Sequence, residues 1–95
     1  MYLLIKQHIG ISKEDGELVC TGHILDNADI ISALIPKIEQ LTSTGYKTVR
    51  EVKSPYYPYC IEAITEAEEV DTYKVVSVSE AKQKGFPIVS TEGYV

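Results

Sequence analysis

Arginine occurs once in this 95-residue chain, at Arg50, and neither lysine nor arginine stands anywhere between Ser54 and Tyr73. Scarce bases argue against a protein that grips a phosphate backbone, which needs a basic stripe to displace counterions. A glycine-rich phosphate cradle and a nucleophile elbow are missing too. No apolar run approaches the roughly 20 residues that a membrane-spanning helix needs. Cysteine occurs twice, at Cys20 and Cys60, and the opening MYLLIKQHIG has no secretory pattern, so the expected state is two reduced thiols in the cytoplasm. Repeats, linkers and low-complexity tracts are lacking. One globular domain over 1–95 is expected, because two cores of half this size would each bury too little surface to fold.

What is present is concentrated. The chain carries nine bases, fourteen acids and a net charge of −5. Five of the acids (Glu62, Glu66, Glu68, Glu69 and Asp71) fall in the base-free stretch, leaving nine acids against nine bases elsewhere. The stretch begins with SPYYPY, in which prolines bracket Tyr56 and Tyr57 and Tyr59 follows the second.

The N-terminal region reads as a hairpin. Leu3, Ile5, Ile9 and Ile11 share one parity, as do Leu18, Cys20 and Ile24, the pattern of two strands with a common buried face. A turn centred on Asp15 and Gly16 pairs His8 with His23; one centred on Glu14 and Asp15 pairs His8 with Thr21. A helix over about 27–43 follows, capped by Asp26 or Asn27, with Ile31, Leu34, Ile35, Ile38 and Leu41 as its apolar stripe and Gly45 ending it. Pro36 interrupts that stripe and predicts a kink or two short helices. Residues 46–53 read as a strand and 54–58 as loop. For YCIEAITEAEEV both helix and strand fit: a helix gathers Glu62, Glu66 and Glu69 on one side, a strand aligns Glu62, Glu66 and Glu68. TYKVVSV reads as a strand, Ser79 as the cap of a short helix over about 79–84, Gly85 as its end, and FPIVS as a last strand, for which a parallel pairing with TYKVVSV sits at the lower limit of crossover length. Together these predict a small α+β two-layer domain, a mostly antiparallel sheet with one main helix on one face.

Candidate chemistry is sparse. His8, Cys20, His23 and Cys60 are the residues of metal-favouring type, but Cys20 and His23 on one strand point to opposite faces, so no metal centre is expected. The flanking acids oppose a thiolate at Cys60. The acidic stretch lacks the alternating oxygen ligands and central glycine of a calcium loop. No cofactor and no catalytic residue is predicted.

Tyrosine is different, because it offers large contact area with few torsions to freeze and is enriched at interface hot spots. Flanking prolines lower the ordering cost of binding. The leading expectation is therefore a non-catalytic protein-binding module of the adaptor or inhibitor kind. Tyr56, Tyr57 and Tyr59 anchor it, and Glu62, Glu66, Glu68, Glu69 and Asp71 steer it toward a basic partner surface. An accessory protein of a virus or mobile element that imitates nucleic-acid phosphates is one extension of this reading. The alternative is a small-ligand or nucleotide site formed by Arg50, Tyr57 and Tyr73. Exposed strand edges also invite pairing into homodimers.

Overall fold

The computed structural model describes residues 1–11 and 14–85. Five strands, β1 (Tyr2–Ile11), β2 (Leu18–Ala28), β3 (Thr48–Glu51), β4 (Tyr59–Ile64) and β5 (Val70–Ser77), form one sheet in the order β2-β1-β5-β4-β3. Every neighbouring pair is antiparallel. A 3-10 turn (Ile31–Ala33) leads into α1 (Ile35–Thr42), and α2 (Val78–Lys84) follows β5 directly. The expectation of an α+β domain, with an antiparallel sheet and one main helix on one face, holds.

The hairpin adopts the second of the two registers, with His8 opposite Thr21 and Ile11 opposite Leu18. Near its open end Ile5 faces Ile24 while Leu4 faces Asp26, so Leu25 is an extra residue, a bulge that bends the edge strand.

The helix starts later than its stripe suggested. Asp26 and Asn27 belong to β2 rather than to a cap, because β2 continues to Ala28 beside β1. Pro36 sits in the first turn of α1, where its missing N–H costs nothing, and the Ile31–Ala33 turn lies before it. The stripe is thus split into the two short helices that Pro36 demands. The helix closes on Thr42 and Ser43, whose hydroxyls donate to the carbonyls of Ile38 and Gln40 at 2.8 and 2.7 Å. Gly45, at φ 87°, redirects the chain toward β3.

For residues 59–64 the strand prevails over the helix. The segment is hydrogen-bonded on both sides, to β3 and β5, and it buries Cys60, Ile61 and Ala63. Tertiary pairing of this kind overrides the helix propensity of alanine and glutamate. At the other end of β5 the cap of α2 is Ser77 instead of Ser79, since the Ser77 hydroxyl accepts from the Glu80 amide. Gly85, at φ 72°, ends that helix as expected. The FPIVS strand and its parallel pairing lie outside the described residues.

Alternation along the strands gives two faces. On one, Leu4, Ile61, Ala63, Tyr73 and Val75 pack against Leu34 and Ile38 beneath α1. On the other, Ile5 and Val76 pack against Ala81 of α2, with Leu3 and Tyr57 beside them. Among the described residues neither helix covers the outer hairpin on the α2 side, where Ile9, Ile11, Leu18 and Ile24 are exposed.

Candidate functional site

The most highly organised polar group is centred on Asp71, in a place where the strand register brings β1 and β5 together. His8 is opposite Asp71, and Lys6 is opposite Tyr73, all on the α1 face. The Asp71 carboxylate is buried, with 7 % of its side chain exposed. One oxygen accepts from His8 Nδ1 at 2.5 Å and the other from the Tyr46 hydroxyl at 2.5 Å. Because the Tyr46 hydroxyl donates to the carboxylate, it accepts in turn from the Tyr73 hydroxyl at 2.6 Å. Lys6 Nζ lies 3.8 Å from the carboxylate, and Glu69 lies 3.8 Å from His8 Nε2. Gly10 lies close beneath this group: a Cβ there would come within 2.3 Å of a Glu69 oxygen and 2.9 Å of His8 Nε2, so the ends of those side chains would have to shift.

Burial alone would push the Asp71 carboxyl up, but the hydrogen bonds from Tyr46 and His8 and the nearby charges of Lys6 and His8 outweigh it and hold it below the ordinary carboxylate range. Burial, then the bonds to Asp71 and Tyr73, pushes the Tyr46 phenol far up. An ionised carboxylate only accepts, so His8 carries its proton on Nδ1 and presents Nε2 toward Glu69. The arrangement orients an imidazole and ties β1, β5 and the segment after α1 together. Asp71 is therefore an internal brace and not an acid displayed to a partner. Sequence reading gave His8 no link to Asp71 and Tyr46 no role; the β1–β5 register, which joins residues 63 apart, was the missing signal.

The tyrosine loop separates into distinct environments. Tyr57 turns to the α2 face, where its ring lies 4.4 Å from Lys74 Nζ and its hydroxyl accepts from that ammonium at 3.2 Å. Lys74 is itself buried and also donates to Gln7 at 2.6 Å. Tyr59 packs, half-buried, against the α1-side core. Tyr56 stays outside, 55 % exposed, its ring edge-on to Tyr57 at 6.5 Å, with its amide held by the Ser54 hydroxyl at 3.2 Å. An open pocket of ≈ 230 Å³ lies under this loop, lined among others by Glu51, Lys53, Tyr57, Tyr59 and Cys60.

Arg50, Tyr57 and Tyr73 do not form one site. Tyr73 is buried on the α1 face with Tyr46, Tyr57 lies on the α2 face, and Arg50 is engaged with Glu62 at 2.6 Å. The acids at 66–69 do not adjoin the tyrosine loop either. Glu68 pairs with Lys47, Glu69 lies near His8, and Glu66 is exposed in the β4–β5 turn. That turn and the tyrosine loop are at opposite ends of β4, six residues or about 20 Å apart. The β1–β2 turn, with Glu14, Asp15 and Glu17, lies at the same end as the β4–β5 turn, because β1 and β5 run side by side. The molecule has an acidic pole and, at the far end, a tyrosine loop.

Cys20 and His23 occupy opposite faces of β2, and among the described residues no cluster of three or more His, Cys, Asp or Glu side chains is arranged to hold a metal ion. Both cysteines are free, and burial pushes the Cys60 thiol up, with Lys74 opposing that and Glu62 adding to it. Among the described residues no helix is long and apolar enough to cross a membrane. The chain matches no family model, no curated protein and no solved structure.

Proposed function

We propose that the protein is a non-catalytic protein-binding module of the adaptor or inhibitor kind, acting in the cytoplasm, with Tyr56 as its anchor. The observation that supports this reading is the posture of the loop. Tyr56 is exposed while its own amide donates to the Ser54 hydroxyl two residues before it and the next residue, Tyr57, is fastened to Lys74. A large side chain presented on a fixed loop loses little freedom when a partner covers it. The acidic pole supports the basic-partner part of the reading. A standard interface of about 800 Å² per partner is roughly 28 Å across and spans the distance from the loop to the pole. Charges at that range act on encounter rate more than on affinity.

The test is recovery of a partner by affinity purification from the native cell with the wild-type chain and with Tyr56→Ala. The expected result is a protein retained by the wild type and lost with the variant, whose circular dichroism is unchanged. Equal recovery with both chains removes Tyr56 as the anchor.

A further inference from the structure

The two edges of the sheet are built differently. β3 has four residues and is surrounded by Lys47, Arg50, Glu51 and Lys53, each in an ion pair. A short, charged edge is a common defence against pairing with another strand. β2 has eleven residues, and from Leu18 to Ile24 it reads LVCTGHI, with no lysine, arginine, acid or proline. That stretch keeps one register against β1, and the Leu25 bulge marks where it stops. Leu18 and Ile24, at its two ends, are 46 % and 55 % exposed.

We propose that the outer edge of β2 pairs antiparallel with β2 of a second copy of this chain, about a two-fold axis at Thr21, joining two sheets into one of ten strands. Thr21 is the midpoint of the straight stretch. Pairing about it sets Thr21 against Thr21, Cys20 against Gly22, Val19 against His23 and Leu18 against Ile24. The last pair closes the exposed apolar ends on each other, on the face that also carries the exposed Ile9 and Ile11. Self-pairing in this register opposes no like charges along the seam, although each chain carries −5. A charged partner strand would find no counter-charge between residues 18 and 24, so the uncharged edge fits its own copy better. This interface is separate from the tyrosine loop, which lies beyond β4 on the other side of the sheet.

Sedimentation velocity of the full chain over roughly 1 to 100 µM reads the outcome, the range in which a moderate dimer dissociates. Dimer mass is expected for the wild type. Thr21→Lys sets two ammonium groups opposite each other and is expected to weaken the dimer about tenfold or more, with unchanged circular dichroism. A second variant reports the register without weakening the seam. Thr21→Cys in a Cys20→Ser background is expected to form a disulfide-linked dimer on mild oxidation, because directly opposed strand residues have Cα atoms about 4.5–5.5 Å apart, within reach of a bridge. Ser32→Cys in the same background, in the 3-10 turn outside the β2 seam, is expected to stay unlinked. A monomer throughout the range overturns the proposal. So does a dimer indifferent to Thr21→Lys, equal cross-linking through Ser32→Cys, or dimerisation seen only after removal of residues 86–95, which would assign the edge to the chain's own C-terminal segment.

Discussion

Asp71 is a hub of the fold's polar contacts, since its two oxygens hold a histidine on β1 and a tyrosine after α1. Asp71→Asn at neutral pH removes the charge these donors were arranged around, and a loss of about 3 kcal/mol is expected in denaturant unfolding. The same variant has a defined pH signature. The folded pKa of Asp71 is below its unfolded value, so its stabilisation is present above about pH 4 and is lost as pH falls through the folded pKa. The gap between wild type and Asp71→Asn is therefore expected to narrow as pH falls below about 4. Glu68 is the opposite kind of residue, held at φ 63° in the turn between β4 and β5, a left-handed conformation that costs a side chain with a Cβ. Its ion pair with Lys47 is exposed and contributes little. Glu68→Gly is expected to raise stability by about 0.5–1 kcal/mol, read as a higher thermal midpoint.

Elements show how far the sequence could be read. Parity in the hairpin and the Pro36 interruption both translate directly into structure, because each is a local property of a few residues. The start of the helix and the identity of 59–64 were not local. Asp26 and Asn27 look like caps until β1 draws them into a strand, and Glu62 and Ala63 look helical until strands pair on both sides. The site was hidden for the same reason: His8, Tyr46 and Asp71 are scattered in sequence and meet only through register. What could be read of the tyrosine segment was its composition, not its division into anchored and exposed rings. Pro36 offers a test of the element assignment. An interior proline would make Pro36→Ala stabilising by about 3 kcal/mol. In the first turn of α1 it is instead expected to cost about 0.5–1 kcal/mol, through the greater freedom of the unfolded chain. Ile38→Ala, which empties a fully buried position under the same helix, is expected to cost about 3 kcal/mol in the same unfolding measurement.

At the scale of the whole molecule, charge and contact surface are set apart. The acids of both turns stand at one end of the sheet, the tyrosine loop at the other, and the uncharged β2 edge runs along the side. Two copies approaching along that edge bring together chains of −5 each and gain no ion pair at the seam. Salt then has only repulsion to screen, and the Debye length shortens from about 30 Å at 0.01 M to about 8 Å at 0.15 M. Self-association is expected to strengthen as sodium chloride is raised over this range, measured as a falling dimer dissociation constant by sedimentation. A basic partner drawn by the acidic pole responds with the other sign, because the same screening removes attraction and slows encounter. One salt series on each complex thus separates the two surfaces: a dimer that weakens with salt would mean that ion pairs cross the β2 seam, and the pairing about Thr21 contains none.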